Sequence, residues 1–338
     1  MRAVRYVAPE TIKVEDIPVP SLGPGEALVK VAYTGLCGSD LPIYKGIHPR
    51  VKPPLVVGHE IAGTLAEINA EGYNECQVGD LVAVNPLLFC GHCQPCRTGN
   101  WHVCKTLGLT GIDADGGFAE YVKVPVHQLV KLNPEIPMDR AALTEPVAVA
   151  VHAIRRSKMQ LGDAVAVLGA GPIGLLVAFC ARLAGASQVL ITDVSDFRLG
   201  VAKDFGFTPI DARQDAVKQI QDLTGGNGAD VVFEVVGAAP TAADMIQAVK
   251  ITGTVVIVGV FKQPAPVDLR TVNFNELAII GTRVYTDFDF RTAARMVYQY
   301  PELGKIITSR LPLEEAQQAF NLGLSAATSN ALKVLMHP

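Results

Sequence analysis

The sequence predicts an α/β chain in two parts: a β-rich domain, then a doubly wound parallel sheet with helices on both faces. Three observations carry this. Over residues 165–193 a glycine fingerprint sits between two apolar runs and ends in an acid. From about residue 160, apolar strands at 164–168, 188–192, 230–236 and 253–260 alternate with helical stretches at 172–184, 196–205, 213–223 and 241–249, the rhythm of a parallel sheet. Before about residue 130, short alternating runs such as 27–33 and 81–84 are broken by Pro24-Gly25, Pro53-Pro54 and Gly116-Gly117, which reads as strands and turns.

The fingerprint is G-A-G-P-I-G, with Gly169, Gly171 and Gly174 at GxGxxG spacing and Pro172 and Ile173 opening the following helix. Gly169 permits the tight turn, Gly171 lets the backbone approach a pyrophosphate, and Gly174 lets helix and strand pack closely. The helix N-terminus then faces the phosphates. Asp193 follows Gly174 by 19 residues, where a carboxylate holds ribose hydroxyls. The competing reading is an ordinary βαβ unit whose glycines serve packing alone. The order of strand, turn, helix, strand and acid favours a dinucleotide site.

Composition narrows the function classes. With 338 residues, about two domains are expected. Charged residues make up 18% and hydrophobic ones 49%, which describes a compact soluble chain rather than a disordered one. The net charge of −4, with no basic block, argues against nucleic acid as a partner. The start, Met-Arg-Ala-Val-Arg-Tyr, has no apolar signal core. Residues 164–181 carry no charge, but four of their first eleven positions are Gly or Pro. The glycine fingerprint explains them better than a membrane span does.

In the remaining elements, 143–154 is apolar and helical and leads into the second domain. After about 288 come helices at 291–298 and 314–322 and a closing strand at 331–336, which return to the first domain. The domains expected are therefore 1–155 with 289–338, and 156–288.

Seven cysteines stand at 37, 76, 90, 93, 96, 104 and 180. An odd count with no signal core points to a reducing cytoplasm and metal binding rather than a disulfide framework. Cys90, Cys93, Cys96 and Cys104 read C-x2-C-x2-C-x7-C, a loop able to wrap a tetrahedral ion with four thiolates. Four sulfurs leave no place for substrate, so this zinc is structural. The rival iron–sulfur run continues C-x3-C-P, which Cys104 does not match. His92 and His102 flank the cluster as surface residues, and Trp101 supports the lobe. Cys76 and Cys180 read as inert thiols. Cys37, His59 and Glu145 each have a plain explanation as a small core residue, a packed histidine and an acid at a helix start. Spacing alone leaves their convergence on a metal open. His152 reads as packed, and Tyr44 and His48 as loop residues with a lesser claim to touch substrate.

The set C-G-S-D, V-V-G-H-E, G-H-C-Q-P-C, D-G-G-F-A-E-Y, E-P-V-A-V-A-V-H-A and G-A-G-P-I-G resembles the zinc-containing medium-chain dehydrogenases over essentially the whole chain, in the family's order. The resemblance implies a GroES-like catalytic domain and a Rossmann domain. It implies two zinc ions per chain, one catalytic and one structural. Cys37 and His59 match ligands of the catalytic zinc. Where the alcohol-dehydrogenase branch has a second cysteine this chain has Glu145, a departure that points away from ethanol and towards the sorbitol and polyol branch. There the Glu after the His ligates, and the later Glu holds the zinc's water or ligates in turn, so Glu60 and Glu145 both carry over as metal residues. Asp40 matches the carboxylate that orients the zinc-bound His, and Ser39 the hydroxyl that passes on the substrate proton. Asp193 and Arg198 match residues at the adenosine ribose of NAD-preferring members, and no basic residue directly follows Asp193.

The function expected is NAD-linked oxidation of a secondary alcohol of a polyol or sugar acid to a ketone. The alternative is a short-chain vicinal-diol (butanediol) or L-threonine dehydrogenase. From another class, a non-catalytic nucleotide-binding regulator would be expected to lose the ligands that this chain keeps. The resemblance further implies a homotetramer, with a dimer as the alternative.

Overall fold

The computed structural model describes residues 1–70, 75–325 and 328–338. The chain divides into two compact units, Met1–Ala148 with Thr286–Pro338, and Val149–Tyr285. The sequence places these junctions at 155/156 and 288/289. The first observed junction falls inside the helix Thr144–Arg156, so the composition change lags the break in contacts.

In the first unit a seven-stranded sheet runs Leu129–Lys131, Leu81–Val84, Glu60–Asn69, Glu26–Gly35, Lys333–His337, Ile307–Pro312, with Tyr121–Pro125 also pairing to Glu26–Gly35. A three-stranded sheet of Thr11–Asp16, Arg2–Ala8 and Leu55–Val56 completes the β-structure with the hairpin-like pair Leu87–Leu88 and Gly108–Leu109. Glu26–Gly35 is central and takes three partners, so Ala27, Leu28 and Val29 are all buried, as expected of a strand covered on both faces. The closing strand joins this sheet antiparallel, with Leu335 opposite Gly35, and Gly35 is also opposite Glu60. Three segments distant in sequence thus end side by side. A core of Tyr6, Ile43, Tyr44, Phe118, Phe320 and Met336 lies beneath, bringing helix Ala316–Leu324 against the short helix Asp40–Tyr44. Gly35 has no side chain because a Cβ there would strike the Glu60 carboxylate.

The second unit is a six-stranded all-parallel sheet. Numbered from Ala164–Leu168 its strand order is 3-2-1-4-5-6, the doubly wound order with its switch point between Ala164–Leu168 and Ala229–Glu234. Two of these strands, Thr208–Asp211 and Ala278–Gly281, escape the sequence reading. Both are four-residue edges, too short for a period, and the first contains Pro209, which demotes a run read in isolation. The strand expected at 230–236 stops at Glu234, and the one expected at 253–260 spans Val249–Ile257, with Thr252 at φ 62°. No helix among the described residues is long and apolar enough to cross a membrane.

Candidate metal centres and dinucleotide cradle

Cys90, Cys93, Cys96 and Cys104 form one group whose sulfurs lie within 4.8 Å of one another. Their separations are 3.4 Å (93–96), 3.6 Å (90–104), 3.8 Å (93–104) and 4.0 Å (90–96). A disulfide requires about 2.05 Å, whereas a zinc with bonds of about 2.3 Å sets its tetrahedral sulfur edges near 3.8 Å. The donor set fits that ion. Backbone N–H groups support it: Cys90 N–H donates to Cys104 Sγ and Cys93 N–H to Cys90 Sγ, each at 3.4 Å. Burial pushes the Cys104 thiol up, but the N–H groups of Cys90 and Thr106 outweigh it and bring its pKa well below the ordinary value, whereas burial and the neighbouring sulfurs push the Cys96 thiol up; of the two, Cys104 is the readier thiolate. Trp101 stacks on Phe89 at 5.1 Å and donates its indole N–H to Cys96 O at 2.9 Å, bracing the loop from outside. His92 is exposed, and neither it nor His102 joins the ligand group.

The second group is Cys37, His59 and Glu60. Cys37 follows the central strand, and His59 and Glu60 stand where Glu60–Asn69 begins. His59 and Glu60 are buried and Cys37 is half-buried. Asp40, fully buried in the first turn of its helix, accepts the Cys37 N–H at 2.8 Å through Oδ2. Its Oδ1 faces His59 Nδ1 at 3.6 Å, and both of those buried atoms otherwise lack a hydrogen-bond partner. An imidazole oriented by Asp40 through Nδ1 presents Nε2 as the ligand atom. Burial disfavours charge on His59, yet Asp40 and Cys37 outweigh it and hold its pKa well above the usual histidine value. Three convergent donors with an orphaned imidazole nitrogen and carboxylate oxygen beside them fit a divalent ion. Ser39 is half-buried at the N-cap, with no side-chain cap bond.

Glu145 is buried in the first turn of Thr144–Arg156 and does not belong to the three-residue ligand group. A further residue, not read as functional from the sequence, enters from the closing strand. Lys333 Nζ donates to Glu60 Oε1 and Oε2 at 2.6 and 2.8 Å and to Leu36 O at 3.2 Å. Its side chain is 4% exposed. Burial opposes its charge, but Glu60 and then Cys37 raise its pKa above the ordinary lysine value, with Glu145 also contributing. The one available signal was a lysine opening an otherwise apolar strand. Tyr44 turns out to be a core residue, packed on Phe320 at 5.1 Å with its hydroxyl on Gln317. His48 is half-buried, and His152 is buried in its helix.

In the second unit, Gly169 has φ 114°, and a Cβ there would lie 2.6 Å from the Val236 side chain. Gly174 lies against the Gly169 carbonyl, leaving no room for a Cβ. Gly171 is the extended N-cap of Pro172–Leu183, Pro172 opens the helix followed by Ile173, and no side chain caps the free N–H groups. An uncapped helix start behind a glycine turn fits an anionic phosphate group. Asp193 ends its strand. Its Oδ2 accepts Ala170 N–H at 2.9 Å, and its Oδ1 accepts Val194 N–H and Ser195 N–H at 2.8 and 3.0 Å. Arg198 Nη1 is 3.6 Å from Asp193 Oδ2. Glu234, fully buried at the end of the neighbouring strand, accepts through Oε1 from Val236 N–H, Gly237 N–H and the Thr241 hydroxyl at 2.9, 2.8 and 2.7 Å. It shapes the turn that packs on Gly169, and its sequence context gave no hint of this.

Comparison with known proteins matches residues 23–134 to the alcohol dehydrogenase GroES-like domain and residues 172–299 to the zinc-binding dehydrogenase domain. The chain is 36% identical to a 2-dehydro-3-deoxy-L-galactonate 5-dehydrogenase of Pseudoalteromonas atlantica, covering 95% of this chain and 94% of the relative. It is 40% identical to an L-threonine 3-dehydrogenase of Pyrococcus horikoshii, over 95% and 94%. Its fold is similar to a solved zinc-binding dehydrogenase from Sinorhizobium meliloti 1021 bound to NADP, with a TM-score of 0.93, 32% identity, and coverage of 100% of this chain and 99% of that one.

Proposed function

This chain belongs to the zinc-dependent medium-chain dehydrogenase/reductase family and is a dehydrogenase acting on CH–OH groups; on that footing we propose that it oxidises a secondary alcohol of a polyol or sugar acid to a ketone with NAD. The observation that carries the reading is the convergence of Cys37, His59 and Glu60 in a GroES-like unit, on a chain whose relatives include a dehydrogenase of a sugar acid. Two zinc ions per chain follow, one at the four cysteines and one held by Cys37, His59 and Glu60, with Glu145 as neighbour or exchanging ligand. When bound, the second ion acts as a Lewis acid that makes a hydroxyl far easier to deprotonate.

The chain's own residues do the rest. Asp40 fixes the His59 ring through Nδ1. Ser39, with its hydroxyl unengaged by the helix it caps, receives the substrate proton and hands it on. Glu145 accepts a hydrogen bond from a substrate or water hydroxyl. In the second unit the turn at Gly169, Gly171 and Gly174, with Pro172 and Ile173, holds the pyrophosphate. Asp193 and Arg198 hold the adenosine ribose, and the carboxylate repels a 2′-phosphate, which favours NAD. A nicotinamide held by that cradle would supply the acceptor for the hydride of the substrate carbon. We place the protein in the cytoplasm as a homotetramer or dimer.

A second reading, oxidation of L-threonine or a short vicinal diol, is favoured by the 40% identity to a threonine dehydrogenase. The chemistry is the same and only the substrate pocket differs. Screening NAD and NADP reduction against polyols, aldonates, short diols and threonine separates the readings. Turnover of aldonates or polyols supports the first, and turnover confined to threonine or butanediol replaces it with the second.

A further inference from the structure

The metal site contains a charge problem. Cys37 as thiolate, Glu60 and the Asp40 carboxylate lie together in one largely buried cluster, and Glu145 is close enough to act on Lys333; like charges in a poorly solvated place repel strongly. A divalent ion cancels two of these four charges, which leaves two uncancelled with the ion and more without it. Lys333 is the buried cation that meets this surplus. Its Nζ bridges both oxygens of Glu60 and the carbonyl of Leu36, the residue before Cys37. It therefore ties two ligand-bearing segments together from a third strand.

We propose that Lys333 is a positioning residue of the metal site, a built-in counter-cation that keeps Glu60 and the Cys37 segment assembled before the ion arrives and brings the loaded site closer to neutrality. The inference rests on the reading of Cys37, His59 and Glu60 as metal ligands. Each Glu60 oxygen keeps a second lone pair for the ion while its first accepts from Lys333, so ammonium and metal share the carboxylate. Without Lys333 the ion carries more of the charge compensation, and folding leans on it more heavily.

The test compares wild type, Lys333→Met and Lys333→Arg as full chains, each with and without a Cys37→Ser change, by thermal unfolding after chelator dialysis and again after Zn²⁺ is restored. Subtracting the zinc-induced shift of the Cys37→Ser counterpart isolates this site from the four cysteines. In Lys333→Met the isolated shift should exceed that of wild type by on the order of 5 °C, and Lys333→Arg should resemble wild type. Equal isolated shifts in Lys333→Met and wild type would make Lys333 a mere packing residue and overturn the proposal. If Lys333→Met does not fold without zinc, the Lys333→Met/Glu60→Gln double variant decides. Recovery of the metal-free fold supports charge compensation, and continued failure overturns it. Failure of the underlying metal reading looks different: wild type and Cys37→Ser would then carry equal zinc.

Discussion

Replacing Glu234 by Ala isolates the support beneath the dinucleotide cradle. The carboxylate is 0% exposed, and one oxygen collects two backbone N–H groups and one hydroxyl. Hydrogen bonds to a charged acceptor contribute roughly 1.5–3 kcal/mol each, so three suggest about 5–9 kcal/mol before offsets. Val236 is 50% exposed, so its N–H can turn to water and most of its share is recovered. The variant also no longer buries a carboxylate, which returns a few kcal/mol. A net loss of about 3 kcal/mol remains, expressed in the unit Val149–Tyr285. Calorimetry with and without cofactor reads the loss. Because the turn after Glu234 packs on Gly169, titration calorimetry should also show NAD binding about tenfold weaker, a difference of about 1.4 kcal/mol. A stability change under 1 kcal/mol would refute the bonding account. A full stability loss with unchanged NAD affinity would refute the link from Glu234 to the cradle.

Other perturbations have equally definite outcomes. Asp193→Ala should lower the NAD-to-NADP preference ratio in steady-state kinetics. It should also weaken both cofactors, because Ala170, Val194 and Ser195 lose their acceptor; an unchanged ratio removes Asp193 from the ribose site. Cys104→Ala should cost one zinc per chain by elemental analysis and open the loop around residues 88–107 to protease, and two zincs retained with no new cleavage contradict the four-cysteine site. Burial alone pushes the Cys180 thiol up to about 12, so at pH 8 an alkylating reagent should leave it unmodified until the second unit unfolds. Peptide mapping that finds Cys180 alkylated in the native protein would count against that burial.

What could be read from the sequence was what lies close together along it. The glycine turn, its helix and Asp193 are contiguous, and the four cysteines lie within fifteen residues, so spacing carries their geometry directly. The pair of Cys37 and His59 was legible only through a family resemblance, because the antiparallel register of Glu26–Gly35 with Glu60–Asn69 brings them together. Lys333 is 273 residues from Glu60, and no local pattern records that the closing strand lands beside Gly35. Thr208–Asp211 was missed for the opposite reason: its local signal, Pro209 in a four-residue run, pointed away from a strand that the sheet edge accommodates. Glu234 read as the tail of an apolar run, yet it ends the strand by collecting the donors of the turn.

In the proposed mechanism, Cys37, His59 and Glu60 hold a metal on which oxidation of a CH–OH substrate depends. Zinc content and NAD reduction, measured on the same preparations of wild type and Cys37→Ser, decide this. Two zincs per chain and turnover are expected in wild type, against one zinc, no turnover and intact NAD binding in Cys37→Ser. Full turnover by a Cys37→Ser protein carrying a single zinc would contradict it.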